Sequence, residues 1–335
     1  MTNWLITGGC GFIGTSLIRH LLASKPEIHI RVLDNLSVGT EDDLARACEF
    51  EKISEHDITF CSKNLKQGSV ELFVGDIRDD EIAKLAAKEM DVVVHLAANT
   101  GVGPSVEDPR SDFLSNVVGV FNLLEAARCS KVKKFVFASS GAPVGNVEPP
   151  IHELLAARPV SPYGASKLAG EGYCSAYYQT FGIETIALRF GNVYGPYSNK
   201  KSSVVAKFIR EIMEGKNISI YGDGTQTRDF IYVDDLVRAI CLSAAKEGLG
   251  GEVFQIATSR ETTVEEVAHK ILSATSDVGF ESVSINYSAE RLGDVKRNFS
   301  DTSKAFNVLG WEPEYSLDRG IEVTVGWFKG EYVVS

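Results

Sequence analysis

Short apolar runs alternate with amphipathic segments along the first two-thirds of the chain. The runs have the length and β-branched content of buried strands, and they cover residues 4–7, 29–34, 71–75, 92–96, 135–139 and 184–190. Between them, apolar side chains recur at helical spacing, as at Ile13, Leu17 and Leu21. Strands that alternate with helices in this way predict an α/β fold with a parallel sheet.

The rhythm of the pattern changes after about residue 191. Shorter predicted strands follow at 218–221, 253–256 and 284–287, together with short helices. We therefore expect a first domain over residues 1–190 and a smaller mixed α/β domain over residues 191–335, with the chain crossing between the two. The segment 41–68 fits a helix followed by an irregular polar loop, and it indicates no function.

Composition narrows the possible partners. The net charge of −11 over 335 residues argues against a general nucleic-acid-binding protein, because phosphate-backbone binding needs a positive surface. A phosphorylated small molecule needs only a few local basic side chains and stays possible. The six cysteines show no CxxC spacing, so we predict neither a metal site nor a disulfide framework. No run approaches the ~20 apolar residues of a membrane helix and no signal peptide is visible, so we expect a cytoplasmic protein without a membrane partner.

A glycine-rich turn follows the first predicted strand and opens the first predicted helix. It contains Gly8, Gly11 and Gly14 at three-residue spacing. Glycines are needed where a chain turns tightly and where its backbone must approach a pyrophosphate. Asp34 ends the second predicted strand, where a carboxylate can bind ribose hydroxyls and repel a 2′-phosphate. The pattern predicts a dinucleotide site that prefers NAD over NADP.

The next two strand ends also bear on that site. Asp76 follows the third strand and is expected to face the adenine, while Ala97 and Ala98 leave room for the cofactor after the fourth. His95 precedes this apolar stretch, and we interpret it as a packed structural histidine rather than a catalytic one.

Tyr163 and Lys167 lie four residues apart, which places them on one face of a helix. A tyrosine is a poor base at neutral pH unless nearby positive charge stabilises its phenolate. Ser139 and Ser140 end a predicted strand, and a hydroxyl there can hydrogen-bond the oxygen that Tyr163 deprotonates. Together with the glycine turn, this combination is hard to explain as packing.

Taken with these features, the chain resembles the extended short-chain dehydrogenase/reductase family. The resemblance rests on TGGCGFIG, GDI, HLAA, PYGASK, RFGNVYGP, GDGTQTRDFIYVDDL and RLGDVKRNFSD, which run in the family's order along nearly the whole chain. By motif the most similar group is the nucleotide-sugar 4-epimerases. The resemblance implies a Rossmann-type doubly wound parallel sheet that holds NAD, a smaller mixed α/β C-terminal domain that holds a UDP-sugar, and a homodimer formed by helices 115–130 and 163–181.

The resemblance also assigns site residues. The catalytic residues are Ser140, Tyr163 and Lys167. The implied NAD-binding positions are Gly8, Gly11, Phe12, Ile13, Gly14, Asp34, Asn35, Asp76, Ile77, Leu96, Ala97, Ala98, Asn116, Ser139, Tyr163, Lys167 and Phe190. The implied substrate-binding positions are Thr100, Ser140, Asn192, Ser203, Val204, Tyr221, Arg228, Arg291, Asp294 and Asn298.

The implied reaction is a 4-epimerisation. Tyr163 takes the proton of the sugar 4-hydroxyl while C4 passes a hydride to NAD⁺, and the transient 4-keto sugar is reduced again on its other face. Gly141 and Ala142 stand where the related 4,6-dehydratases carry an acid and a base, so elimination of water lacks its catalysts.

Substrate choice is less constrained by the sequence. Pro143 and Val144 replace the family's usual Val-Tyr, a change expected to reshape the wall beside the sugar. At Asn298 some epimerases carry a Tyr that excludes an N-acetyl group, so both UDP-glucose and UDP-N-acetylglucosamine are expected to fit. UDP-glucuronate 4-epimerisation, another reaction of the same family, and a catalytically silent NAD-binding protein remain as alternatives.

Overall fold

The computed structural model describes residues 2–60, 68–276, 283–290 and 295–333. The chain divides into two compact units. The first comprises Met1–Asn146, Glu153–Arg189 and Val237–Phe254, and the second comprises Val147–His152, Phe190–Leu236 and Gln255–Ser335. The division after residue 190 stays a prediction.

Strands and helices follow one another through both units. The strands are β1 (Asn3–Thr7), β2 (His29–Asp34), β3 (Glu51–Ile53), β4 (Val70–Val74), β5 (Val92–His95), β6 (Lys134–Ser140), β7 (Glu184–Phe190), β8 (Asn192–Tyr194), β9 (Ile218–Tyr221), β10 (Thr227–Arg228), β11 (Phe230–Tyr232), β12 (Glu252–Ile256), β13 (Thr262–Thr263) and β14 (Ile285–Ser288). The helices are α1 (Phe12–Ser24), α2 (Glu41–Ala45), α3 (Glu55–Phe60), α4 (Asp80–Ala87), α5 (Val102–Glu107), α6 (Pro109–Phe113), α7 (Gly119–Ser130), α8 (Pro162–Phe181), α9 (Val204–Met213), α10 (Val233–Ala245), α11 (Val264–Ala274) and α12 (Leu317–Val333).

Within the described residues, eight strands form one sheet in the order β12-β7-β6-β5-β1-β2-β4-β3. The pairs β1–β2, β1–β5, β2–β4, β3–β4 and β5–β6 are parallel. The order reverses between β1 and β5, the position at which doubly wound sheets open a crevice for ligands. The predicted Rossmann-type α/β sheet is therefore confirmed.

The central strands β2 and β5 are buried along their whole length because helices cover both faces of the sheet. All residues of β2 and β5 are buried, including the polar His29 and His95. The core of this unit joins Leu5, Leu33 and Phe135 of the sheet to side chains of α4 and α7.

Two predicted elements need correction. The segment expected to be a helix and a loop contains α2, the strand β3 and α3, and β3 pairs with β4 at the edge of the sheet. A strand of three residues shows no alternation of its own, and the pairing with β4 defines it. The strand predicted at 253–256 in the C-terminal domain is β12, which lies beside β7 in the main sheet.

In its described residues, the second unit carries short paired strands and the helices α9, α11 and α12. β8 pairs with β11 and β9 with β14, both in parallel, and β10 pairs with β13 in antiparallel fashion. Asp229 organises this region, because its carboxylate accepts from the backbone N–H groups of Thr258 and Ser300. In the ranges that the structure describes, no helix has the length and apolar composition needed to cross a membrane.

Candidate active site

The glycine turn lies between β1 and α1, as predicted. Gly8 has a φ of 69°, and a Cβ added to it would lie 2.8 Å from the backbone nitrogen of Ala97. A Cβ on Gly14 would lie 2.5 Å from the carbonyl oxygen of Gly8. Gly11 caps α1 without a side-chain hydrogen bond, so the first N–H groups of the helix can receive an anion. These glycines fit the pyrophosphate of a dinucleotide.

Asp34 connects the end of β2 to the glycine turn. One of its carboxylate oxygens accepts from the backbone N–H of Cys10 at 2.9 Å, and the other accepts from that of Leu36 at 2.9 Å. The carboxyl is buried, and this burial raises its pKa. Each oxygen keeps a lone pair, which suits a ribose diol and fits the predicted cofactor.

Asn35, the residue after Asp34, is hydrogen-bonded to Asp76, and Asp76 in turn is bound by Arg78. The amide of Asn35 donates to Asp76 at 3.1 Å, and the guanidinium of Arg78 donates to both oxygens of Asp76 at 2.9 and 2.7 Å. Arg78 lowers the pKa of Asp76 to about 2. Arg78 was missed in the sequence, because a charged residue after a strand does not by itself indicate an ion pair with a residue two positions earlier.

His95, at the end of β5, is held by a polar contact with Thr7 and by packing against Phe137. His95 is fully buried, its Nδ1 lies 2.7 Å from the Thr7 hydroxyl, and its ring stacks on Phe137. Burial lowers the pKa of His95 to about 3, so the ring is neutral, in agreement with the structural role expected for it. Leu96, Ala97 and Ala98 are half-buried after it, while Thr100 is exposed.

The three predicted catalytic residues come together in the first unit. Helix α8 is capped by Ser161, whose hydroxyl accepts from the Gly164 N–H, and this cap sets Tyr163 in the first turn. The Ser140 hydroxyl faces that of Tyr163 and favours its phenolate against the effect of burial, and the Ser140 oxygen accepts from the Ala142 N–H at 3.2 Å. The arrangement presents a phenol and a hydroxyl side by side.

The Lys167 ammonium is buried beside the ring of Tyr163. Its Nζ donates to the carbonyl oxygen of Ala138 at 2.9 Å and lies 5.8 Å from the centre of the Tyr163 ring. Burial lowers the pKa of Lys167 to about 8 and raises that of Tyr163 to about 12. The protein by itself therefore keeps the phenol protonated at neutral pH. The two remaining ammonium hydrogens can bind the ribose of a cofactor.

The side chain of Ser139 turns away from this group. Its hydroxyl donates to Glu171, which receives two hydrogen bonds from Arg189 at 2.8 and 2.7 Å. Glu171 and Arg189 are both buried. Sequence analysis missed this pair, although the spacing of Glu171 from Lys167 places them on one helix face.

Asn116 lies in a π-helical turn, Leu114–Val118, between α6 and α7. Its side chain holds the backbone of Asn99: Oδ1 accepts from the N–H at 2.9 Å, and Nδ2 donates to the carbonyl at 2.8 Å. Nδ2 also donates to Asp112 at 2.8 Å. The amide is thus engaged with protein groups, and Asp112 is a further residue that sequence analysis did not find.

The unusual Pro143 and Val144 form a short 3-10 turn with Ala142. Both side chains are buried, and Val144 is fully so. They pack into the protein, and their effect on the wall beside the sugar stays a prediction. Gly141 and Ala142, directly after Ser140, are the partly exposed residues of this turn.

The predicted substrate-binding residues Asn192, Ser203, Val204, Tyr221, Arg228 and Asn298 belong to the second unit, as does Phe190. Ser203 and Val204 open α9, and the Ser203 hydroxyl makes no capping hydrogen bond. The two further predicted positions, Arg291 and Asp294, lie outside the described residues.

Arg228 and Asn298 both donate hydrogen bonds to Thr227. Nη1 of Arg228 donates to the carbonyl oxygens of Thr227 and Val295, at 2.7 and 2.6 Å. The N–H of Asn298 donates to the Thr227 hydroxyl at 3.4 Å. Lys207, which sequence analysis missed, lies 4.6 Å from the centre of the Tyr221 ring. This unit therefore gathers basic and aromatic side chains of the kind that bind a nucleotide.

Comparison with known proteins agrees with this geometry. Residues 4–257 match the model of the NAD dependent epimerase/dehydratase family. A UDP-glucose 4-epimerase of Mycolicibacterium smegmatis is 36% identical over 332 residues, covering 98% of each chain. The structure of a UDP-glucose 4-epimerase from Thermotoga maritima with UDP-glucose is similar, with a TM-score of 0.86, 34% identity and coverage of 98% of this chain and 99% of that one. The structure of a Thermus thermophilus UDP-glucose 4-epimerase in complex with NAD is also similar, with a TM-score of 0.84 and 32% identity. The match covers 98% of this chain and 99% of that one.

Proposed function

The chain belongs to the NAD-dependent epimerase/dehydratase family and its cofactor is NAD, and on that premise we propose that it is a UDP-sugar 4-epimerase. Its substrates are the pairs UDP-glucose/UDP-galactose and UDP-N-acetylglucosamine/UDP-N-acetylgalactosamine. The observation that carries this proposal is the grouping of the Ser140 and Tyr163 hydroxyls with the buried Lys167 ammonium beside them.

The protein groups have distinct roles in the proposed reaction. Tyr163 accepts the proton of the sugar 4-hydroxyl and returns it after the C4 configuration has inverted. Ser140 hydrogen-bonds the same oxygen, and Lys167 stabilises the phenolate by its charge. NAD, when bound, takes a hydride from C4 and gives it back to the other face of the 4-keto sugar. The cycle involves no net redox change.

The turn after Ser140 favours epimerisation over elimination. Dehydration of the sugar needs an acid and a base beside the reacting carbons, and Gly141 and Ala142 supply neither. A catalytically silent NAD-binding protein is disfavoured, because Ser140, Tyr163 and Lys167 are all present.

The substrate-side residues favour a neutral sugar on a diphosphate. Arg228 is a forked donor suited to phosphate oxygens, and Asn298 is half-buried with an amide that can hydrogen-bond an N-acetyl group. Arg291 and Asp294 are proposed to share the binding of the nucleotide. A uronate is the second candidate substrate, since Lys201 is half-buried and burial lowers its pKa, leaving a poorly hydrated cation for a carboxylate.

Proton NMR of the sugar tests the proposal directly. Purified protein is incubated separately with UDP-glucose, UDP-N-acetylglucosamine and UDP-glucuronate, with no NAD⁺ added. Galacto-configured signals without net NADH are expected for the first two nucleotides. Conversion of UDP-glucuronate alone would identify a uronate epimerase, whereas a deoxy or decarboxylated product, or no product, would refute a 4-epimerase of these sugars.

We also propose that two copies pair through α7 and α8. Phe121, Tyr173 and Phe181 are 39%, 40% and 50% exposed, and Phe121 packs edge-on against Tyr173 with ring centres 5.6 Å apart. Such an aromatic face on two adjacent helices is typical of a subunit interface.

Replacing Phe121 with Glu is expected to give a monomer, because each copy would place a charge in the apolar centre of the pair. Sedimentation velocity measures the change. Phe306→Glu, at an exposed phenylalanine in the second unit, is the matched control and should leave the dimer intact. A wild-type monomer, or a Phe121→Glu dimer, would contradict the assignment.

A further inference from the structure

Asp112 is a buried carboxylate that the proposed mechanism does not use. It is 1% exposed, although it lies in α6, a helix of five residues with an otherwise largely exposed surface. Its Oδ1 accepts from the Asn116 amide at 2.8 Å, and the carboxyl faces the Ser166 hydroxyl, which donates to the carbonyl oxygen of Tyr163 at 3.0 Å. A carboxylate is kept in such a position only if its hydrogen bonds or its charge are needed.

The backbone explains why these groups meet. Asp112 precedes Asn116 by four residues, and the π-helical turn at Leu114–Val118 widens the helix where both side chains point inward. Asn116 fixes the backbone of Asn99 after β5 and donates to the Ser166 hydroxyl at 3.3 Å. Asp112 therefore joins the loop after β5 to α8, in the turn of α8 that carries Tyr163 and Lys167.

The charges around Lys167 make Asp112 distinctive. Glu171, one turn along α8, is paired with the guanidinium of Arg189, and its charge raises the pKa of Lys167 less than that of Asp112 does. His95, from β5, is neutral, and the Phe137 ring and the Ala138 carbonyl face Lys167 from β6. Within the described part of the chain, Asp112 makes no salt bridge, and its charge is the larger of the two carboxylate charges that raise the pKa of Lys167; it also raises that of Tyr163.

We propose that Asp112 is a positioning residue of this active site, which holds Asn116 and Ser166 in place and provides the negative charge that keeps Lys167 an ammonium. The proposal rests on the proposed function only for its kinetic readout. Asp112 touches neither substrate nor cofactor in this account, and it acts through its neighbours.

The sign of the expected pH effect follows from the charge. A nearby carboxylate favours the protonated forms of both Lys167 and Tyr163, and it raises the pKa of each. Removing the charge lowers both pKa values, so the phenolate forms at lower pH and the ammonium is lost at lower pH. The whole bell-shaped dependence of kcat/KM on pH should move to lower pH.

The test compares three substitutions. Asp112→Asn removes the charge and keeps the shape, Asp112→Glu keeps the charge, and Asp108→Asn removes the same charge from an exposed site one turn earlier in the chain. Asp108 caps α6, and asparagine caps equally well, so this control should fold and act as wild type. Asp112→Ser, which keeps a hydrogen-bonding oxygen, replaces Asp112→Asn if the latter does not fold.

Two readouts are measured on the NAD-loaded protein. The first is the pH dependence of kcat/KM for UDP-glucose, with kcat of Asp112→Asn expected to fall roughly tenfold through looser positioning and KM to change little. The second is the ultraviolet titration of tyrosinate, with Tyr163→Phe in the same background subtracted, which needs no turnover. Both should shift to lower pH in Asp112→Asn and stay in place in Asp112→Glu and Asp108→Asn.

A purely structural role would lower kcat without moving either titration, and that result would overturn the proposal. So would an equal shift in Asp112→Glu or in Asp108→Asn. If the wild type fails to epimerise any UDP-sugar, the proposed function falls, while the tyrosinate titration still decides the role of Asp112.

Discussion

Replacing Tyr163 with phenylalanine is expected to lower kcat by about a thousandfold, with the fold and the NAD content unchanged. A positioned general base contributes about 10²–10⁴ in rate, and phenylalanine removes the only atom that can take the proton while keeping the ring. A thousandfold loss corresponds to about 4 kcal/mol of activation free energy. The measurement is the rate of interconversion of UDP-glucose and UDP-galactose.

Tyr178→Phe is the matched control for this prediction. Tyr178 lies on the same helix and packs against the backbone of Gly250, so its substitution removes a hydroxyl away from the catalytic group. Its activity should be that of the wild type. A Tyr163→Phe protein that keeps more than about a tenth of the activity would show that another group is the base.

The second large effect concerns stability. Glu171→Gln is expected to lower the free energy of unfolding by roughly 3–5 kcal/mol, because it leaves the guanidinium of Arg189 buried without its counter-charge. Glu171 and Arg189 have side chains that are only 6% and 5% exposed. Nη1 of Arg189 has no hydrogen-bond partner in the described residues, so the pair with Glu171 is its main compensation. Calorimetry should show a fall of roughly 5–10 °C in melting temperature.

The more exposed ion pair of Glu261 and Arg297 is the control for this stability prediction. Glu261→Gln removes the same charge from its contact with Arg297, whose side chain is 47% exposed, and solvent should compensate for most of the loss. The double substitution Glu171→Met with Arg189→Met should recover much of the stability, because no unpaired charge remains. Equal melting temperatures for Glu171→Gln and Glu261→Gln would contradict this account.

Local patterns in the sequence were sufficient for the main elements. The predicted strands at 29–34 and 184–190 coincide with β2 and β7, because short runs rich in β-branched and other apolar residues favour burial in a sheet. The strand β3 was missed for the opposite reason. Its residues are exposed or half-buried, and only its hydrogen bonds to β4 make it a strand.

In the candidate site, too, some features could be predicted from the sequence and others could not. The spacing of Tyr163 and Lys167 and the glycines before α1 are properties of a few consecutive residues, so helix and turn geometry alone predict where those groups point.

By itself, then, the sequence determined the α/β class, the glycine turn, the Asp34 position and the Tyr163–Lys167 face, because each depends on neighbours in the chain. Only the tertiary structure decided that Ser139 turns to Glu171 and Arg189, that β12 joins the main sheet, and that Asp112 is buried against Asn116 and Ser166. Those contacts join residues far apart in the chain, or depend on which face of a helix is covered. The free energy that selects them comes from burying and pairing charges, and no local pattern records it.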